Sequence, residues 1–155
     1  MPWLLAGSLG LAMMLSAAQP AAAAGPPITA SGGFTQVSFV QSNVRGAGRT
    51  THFDFTEHDS LTGTFDGTSV IDGSCVVRPS GQTVCHASEE FTGTVAGESG
   101  TATFNDVVFI DGTGAVHGAF SVITGTGDLT GLHGHGTFEG SAGTGTYTGR
   151  LVLTS

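Results

Sequence analysis

Positive charge is scarce in this sequence. The chain has no lysine, and its four arginines stand against 12 aspartates and glutamates, which gives a formal net charge of −8 at pH 7. A surface of this sign repels phosphate backbones and anionic lipid head groups, so the composition argues against binding to nucleic acid or to a membrane surface. The simplest role of the excess acidic residues is solubility.

Aromatic residues other than phenylalanine are also rare, and no stretch shows a sustained helical period. Tyr147 is the one tyrosine, Trp3 is the one tryptophan, and ten phenylalanines supply most of the large apolar side chains. Glycine, threonine and valine dominate the remainder, which is typical of strands and turns. The composition therefore predicts an all-β protein.

Short alternating runs recur every 8–12 residues from Gly33 onward, a spacing typical of an antiparallel sandwich or barrel. In the segment 52–56, Phe53 and Phe55 share one face while His52 and Asp54 share the other. The predicted strands cover roughly 33–41, 49–57, 61–71, 73–78, 82–95, 99–110, 114–124, 130–140 and 143–153.

The first 24 residues differ in composition from the rest. An apolar run from Trp3 to Ala18 is followed by Pro20 and an alanine-rich stretch in which Ala22 and Ala24 fit a signal-peptidase site. The run is shorter than the roughly 20 residues that span a bilayer, and no Lys or Arg precedes it. We expect a cleaved secretory signal peptide over 1–24, a secreted product and no stable membrane insertion.

The remaining residues are sufficient for one domain with its own core. We expect a short linker over 25–32 and a single β domain over 33–155. Within that domain, the segment 42–48 (SNVRGAG) is predicted to be a flexible loop.

The two cysteines lie symmetrically about Ser80 in CVVRPSGQTVC, residues 75–85. A three-residue hairpin loop over 79–81 places Gly81 where a left-handed conformation is needed and sets Cys75 opposite Cys85. Counting outward along the hairpin makes them a non-hydrogen-bonded pair, in which side chains are closest. We therefore predict a structural disulfide, since a redox pair usually has C-x-x-C spacing and a zinc site needs more ligands.

The glycine-rich segment GTGDLTGLHGHGTFEG, residues 125–140, has three possible roles. His133 and His135 would point to one strand face and could share a metal, with His52, His58 or Asp54 adding ligands if their strand lay alongside. A phosphate cradle lacks the Lys-Ser/Thr ending of a P-loop. We favour a scaffold in which these glycines shape a tight turn and a bent strand.

From about Ser31 to Leu153 the chain resembles the bacterial family called domain of unknown function 3224, which is related to allene oxide cyclase-like barrels. The resemblance is carried by Phe91-Thr92-Gly93-Thr94, Gly125-Thr126-Gly127-Asp128-Leu129, Gly131-Leu132, Gly134, Gly136-Thr137-Phe138 and Tyr147. It implies an eight-stranded antiparallel β-barrel, allene oxide cyclase-like or lipocalin-like, often oligomeric, with a cavity for a small apolar molecule. It carries over no catalytic residue.

The same resemblance favours one polar pair. Glu89 and Arg49 stand at positions that are often acidic and basic in the family, whereas His133 and His135 depart from its pattern. Independently, Glu89 and Glu90 point to opposite faces of one strand, so one of them should face the interior. A carboxyl in an apolar cavity could act as a general acid or base, and paired with Arg49 it would be a polar anchor.

We expect a non-catalytic barrel that binds a small apolar ligand or serves as an exported scaffold, without a cofactor. Its ligand-binding candidates are Glu89, Arg49, Phe53, Phe55, Phe91 and Phe120. One alternative is an isomerase or cyclase that uses Glu89 with Arg49 or a histidine. Another is a module that forms homo-oligomers through its outer face. His117 is expected to be exposed, and a Ser-His-Asp hydrolase lacks the G-x-S-x-G motif.

Overall fold

The computed structural model describes residues 25–154, which form one ring of antiparallel strands. Each strand pairs with the next along the chain, and the first pairs with the last, so the ring is closed by hydrogen bonds. The predicted all-β class and eight-stranded barrel are confirmed. The strands are β1 (Ile28–Ala47), β2 (Thr50–Gly63), β3 (Phe65–Val77), β4 (Thr83–Val95), β5 (Glu98–Ile110), β6 (Ala115–Gly127), β7 (Leu132–Ser141) and β8 (Thr144–Leu153).

The predicted signal peptide, residues 1–24, lies outside the described residues. Across residues 25–154, no helix is long and apolar enough to cross a membrane.

The first strand begins and ends differently from its prediction. It starts at Ile28, inside the expected linker, and continues to Ala47, through the segment expected to be a loop. Its first part pairs with both β8 and β2, whereas beyond Gln36 its register continues with β2 alone. The register shifts twice, between Gln36 and Ser38 and between Ser42 and Arg45, and the pairing of β1 with β2 continues beyond each shift.

The predicted break at residue 72 between two short strands is also wrong. The chain turns at Thr64 instead, and Gly73 lies within β3. A Cβ atom at Gly73 would lie 2.7 Å from Cε1 of Phe55 and 2.8 Å from Cβ of Ala87. Glycine is needed there because neighbouring side chains occupy the space inside the barrel.

One half of the barrel interior is filled by aromatic and aliphatic side chains. Phe65 packs edge-on against Phe91, Phe104 and Phe120, with ring centroids 5.4–6.0 Å apart. Such edge-to-face contacts are the preferred arrangement of aromatic rings. The other large side chains of this core are Leu61, Val95, Val122, Leu129, Leu132, Tyr147 and Leu151.

The glycine-rich segment closes the end of this packed half. β6 ends at Gly127 and β7 begins at Leu132, and the turn between them inserts the fully buried Leu129 into the barrel. Gly127 and Gly131 have φ angles of 64° and 84°, which only glycine adopts at little cost. The segment therefore forms a tight turn between two strands, as predicted.

Tyr147 connects β8 to the turn between β2 and β3. Its hydroxyl accepts a hydrogen bond from the Phe65 backbone N–H and donates one to the Thr62 carbonyl, both at 2.9 Å. The side chain is 5% exposed, so these two bonds satisfy polar groups that water reaches poorly.

The predicted disulfide is present. Cys75 and Cys85 form directly opposed positions of β3 and β4, with Cα atoms 4.1 Å apart, the short spacing of a non-hydrogen-bonded pair. The Arg78 N–H donates to the Gln82 carbonyl, and Gly81 has a φ of 83°, as the three-residue loop requires. Both sulfurs lie inside the barrel beside Phe53 and Phe55.

Replacing both cysteines, as Cys75→Ala with Cys85→Ala, should lower the free energy of unfolding by about 2–4 kcal/mol, because the open hairpin gains entropy when unfolded. Urea denaturation measures this loss. Ser74→Ala with His86→Ala alters the adjacent outward-facing pair and should have a much smaller effect. Two free thiols found by alkylation and peptide mapping of the unreduced protein would contradict the disulfide.

Candidate functional site

The other half of the barrel interior is open. A cavity of about 190 Å³ lies above the aromatic core, bounded below by Phe65, Phe104 and Phe120 and at its sides by Phe55, Ile71 and Val108. These residues line it because successive side chains of a strand alternate between lumen and solvent. The barrel is therefore fully packed at one end. At the other end the buried cluster around the disulfide fills part of the interior and leaves the cavity beside it.

The mouth of the cavity lies where β1 diverges from β8. Gln36 and Phe39 of β1 line it together with Ser141, Gly143 and Thr144 in and around the turn between β7 and β8. The Gln36 N–H donates a hydrogen bond to the Gly143 carbonyl at 2.7 Å. Phe39 stacks on Phe55 with ring centroids 5.3 Å apart. The entrance thus combines an aromatic wall with a short polar turn.

Four carboxyl groups line the cavity: Glu57 and Asp59 of β2, Glu89 of β4 and Asp106 of β5. The register sets Glu57 and Glu89 on either side of Ile71, and it pairs Asp59 with Ser69. Asp59 and Asp106 are each only 6% exposed. These side chains form what we call the carboxyl cluster.

Burial changes the protonation of this cluster. It raises the pKa of Asp59 to about 8, with the neighbouring Glu57 as the next cause, and the pKa of Asp106 to about 9, with Glu89 as the next cause. Burial also raises the pKa of Glu89, although the polar side chains of Ser69 and Asp106 oppose that rise. At neutral pH the cluster therefore holds protons that exposed carboxylates would release.

No arginine of residues 25–154 lies in the cavity to neutralise the negative charge of these acids. Arg45, Arg49, Arg78 and Arg150 are all exposed, and none lines the cavity. The expected pair between Glu89 and Arg49 is not formed, because Arg49 lies in the turn between β1 and β2 whereas Glu89 lies mid-strand inside the barrel. Of the two adjacent glutamates, Glu89 faces the lumen and Glu90 faces solvent.

The phenylalanines proposed as ligand contacts lie at three levels of the barrel. Phe55 and Phe120 line the cavity. Phe53 packs beside the disulfide, and Phe91 is fully buried in the aromatic core below. The structure therefore brings Phe55, Phe120 and Glu89 together and leaves Phe91 as a core residue.

The sequence-based prediction of site residues did not include three carboxyl groups of the cluster: Glu57, Asp59 and Asp106. A signal for the first two exists, because Phe53, Phe55, Glu57, Asp59 and Leu61 occupy alternate positions of one strand. Extending the face that carries Phe53 and Phe55 by two steps would have placed both acids inside.

His133 and His135 lie exposed on the outer face of β7. Their strand partners are Val152 and Arg150 of β8, so His52, Asp54 and His58 of β2 do not lie alongside them. Among residues 25–154, no group of three or more His, Cys, Asp or Glu side chains could hold a metal ion. His117 is exposed as expected and stacks on Phe109, with ring centroids 5.4 Å apart.

A family model described as "Protein of unknown function (DUF3224)" matches residues 30–151. The chain belongs to this family. A DUF3224 protein with unknown function from Shewanella oneidensis MR-1, whose crystal structure is known, is 19% identical to it. The match covers 81% of this chain and 96% of that one with a TM-score of 0.69, which supports the fold alone. No curated protein matches the chain. The relation to allene oxide cyclase-like barrels stays a prediction.

The raised pKa values predict that stability falls as pH rises from about 4, up to about 8 for the contribution of Asp59 and about 9 for that of Asp106. The unfolded chain releases protons over this range that the folded barrel retains. Each such group contributes a slope of up to roughly 1.4 kcal/mol per pH unit. Urea denaturation at pH 5 and pH 8 should show a smaller difference for Asp106→Asn than for the wild type.

The matched control is Glu90→Gln, which removes one negative charge from the outer face of the strand that carries Glu89. It should leave the pH dependence close to that of the wild type. An Asp106→Asn variant with the wild-type slope would show that Asp106 is ionised in the folded barrel.

Proposed function

We propose that this chain binds a small, largely apolar molecule in the lumen of the barrel. The observation that supports this most directly is the open cavity of about 190 Å³ above a packed aromatic core. Ligand sites are typically concave and apolar with a few convergent polar groups, and this cavity has that composition. A barrel serving only as a scaffold would be expected to fill both halves.

The size of the cavity limits the ligand. Drug-sized ligands occupy pockets of roughly 300–1,000 Å³, and apolar cavities of about 150 Å³ bind benzene. A cavity of about 190 Å³ therefore suits a compound near the lower limit, such as one aromatic ring with a short substituent. Long acyl chains exceed this volume unless they extend through the mouth beside Gln36.

Export is the proposed setting for this activity. Disulfides persist in oxidising compartments, and the Cys75–Cys85 bond is compatible with an extracellular protein. Together with the signal-peptide pattern of residues 1–24, it supports a secreted binding protein.

Filling the cavity should abolish binding. Val108→Phe adds bulk on the cavity wall, while Val107→Phe adds the same bulk to the opposite face of the same strand. We expect saturation-transfer NMR to detect 2-phenylethanol on the wild type and on Val107→Phe, and not on Val108→Phe. Binding that survives Val108→Phe would refute lumen binding. A wild type that binds neither this alcohol nor the amine and the carboxylate of the same skeleton would refute it as well.

Proton transfer is the second candidate function, and the carboxyl cluster favours it. Asp106 retains its proton at neutral pH, so it could donate to a carbonyl oxygen. Glu89, in its carboxylate form, would accept a proton from the adjacent carbon. This would make the lumen the site of an isomerase acting on a small apolar ketone or enol.

Deuterium exchange tests this second candidate. The chain should speed the exchange of the α-protons of phenylacetone in D₂O, followed by NMR, and Glu89→Gln should remove that acceleration while Glu90→Gln keeps it. Exchange no faster than in buffer, together with binding of 2-phenylethanol, would leave binding as the function.

A further inference from the structure

The carboxyl cluster contains acceptor oxygens that the barrel itself leaves without partners. Among residues 25–154, Oδ1 of Asp59 and Oδ1 of Asp106 are buried and have no hydrogen-bond partner. Both side chains line the cavity, and both are more than nine-tenths buried. A buried acceptor left unpaired costs roughly 1–3 kcal/mol, so a ligand that donates to these oxygens would gain from satisfying them.

Charge points to the same kind of ligand. The charged groups that face the cavity are all acidic, from β2, β4 and β5. The other strands contribute uncharged side chains at this level, which include Gln36, Ile71, Phe120, Phe138 and the phenol of Tyr147. The cavity therefore repels an anion and would be neutralised by a cation.

The kind of cation follows from the need for hydrogen-bond donors. A primary ammonium group carries three N–H donors, whereas a quaternary ammonium carries none. Asp59, Glu89 and Asp106 lie on three different strands and line the same cavity. The register makes Glu89 and Asp106 diagonal neighbours on β4 and β5. Aromatic walls formed by Phe55, Phe104 and Phe120 suit the apolar part of such a molecule and attract its charged end.

We infer that the lumen selects a compact primary amine, with its ammonium group held by Asp59, Glu89 and Asp106 and its apolar part against the phenylalanines below. This inference rests on the proposed binding of small molecules in the lumen and adds the chemical class of the ligand.

Proton balance follows from the charge of the cluster. When an alkylammonium ion enters, a protonated carboxyl group of Asp59 or Asp106 gives its proton to solvent, so the charge of the occupied cavity stays the same. Binding should therefore release up to one proton per amine near neutral pH. It should also tighten as pH rises toward about 8, where Asp59 loses its proton without the ligand's help.

Three compounds with the same carbon skeleton distinguish amine selectivity from general lumen binding: 2-phenylethylamine, 2-phenylethanol and phenylacetate. Each is titrated calorimetrically into the purified full chain at pH 7. We expect the amine to bind at least about tenfold more tightly than the alcohol, since hydrogen bonds to charged groups are stronger, and phenylacetate not to bind. Repeating the amine titration in buffers with different ionisation enthalpies should reveal the released proton.

Two variants localise the effect. Asp106→Asn and Asp59→Asn should each lower the preference for the amine over the alcohol by about tenfold or more while 2-phenylethanol still binds, which also shows that the variant is folded. Glu90→Gln, with the same change of charge on the outer face, should leave the preference unchanged.

The outcomes distinguish this inference from the function on which it rests. Equal affinity for the amine and the alcohol, or an amine preference that survives both asparagine variants, overturns the amine inference and leaves lumen binding intact. Failure of all three probes to bind overturns both.

Discussion

The hydrogen-bonded seam between β1 and β8 is the constraint on which the interior of this protein depends. Ile28–Thr35 pairs with Thr144–Leu151, and without that pairing the eight strands would form an open sheet with two free edges. Closure divides every strand into a solvent face and a lumen face and fixes the space that the lumen side chains must share. Eight strands leave an interior that side chains can just fill.

The two halves of the lumen use that space in opposite ways. Around Phe65, Phe91 and Leu129 the interior is filled, and the apolar surface buried there provides the main stabilisation of the fold. Around Asp59 and Asp106 the interior holds polar groups whose burial is unfavourable. Incomplete packing and buried polar groups without hydrogen-bond partners occur most often at functional sites. In this barrel both features lie at one end of the lumen, and the other end is tightly packed.

The parts of the fold that the sequence predicts well are those set by local geometry. The symmetric spacing of Cys75 and Cys85 about a Pro-Ser-Gly loop defines a hairpin register, and the glycines on either side of Leu129 define a turn. The alternation of Phe53 and Phe55 likewise fixes the lumen face of β2. Each of these signals depends on residues close together in the chain.

The parts that could not be predicted depend on partners far away in sequence. In the sequence, Gly73 resembles a turn residue. In the structure, the ring of Phe55 on the neighbouring strand occupies the space that a side chain at this position would need. The segment 42–48 is an exception, because it pairs with residues 50–54 of β2, which are close to it in the chain. Its glycines and polar residues nevertheless resemble those of a loop. Asp106 resembles a solvent-facing acid because charged residues are usually exposed, and closure of the ring places it inside.

The long first strand has a consequence for how copies of this protein meet at high concentration. Beyond Gln36, one edge of β1 has no strand beside it within residues 25–154, and Val37, Val40 and Val44 are each more than 60% exposed along it. An unpaired strand edge is a template for strand addition and aggregation. The two register shifts bend the strand, and the exposed Arg45 places a charge on it, and both features discourage a foreign strand from pairing. The two register shifts, which leave β1 paired with β2, thus also protect its free edge against self-assembly.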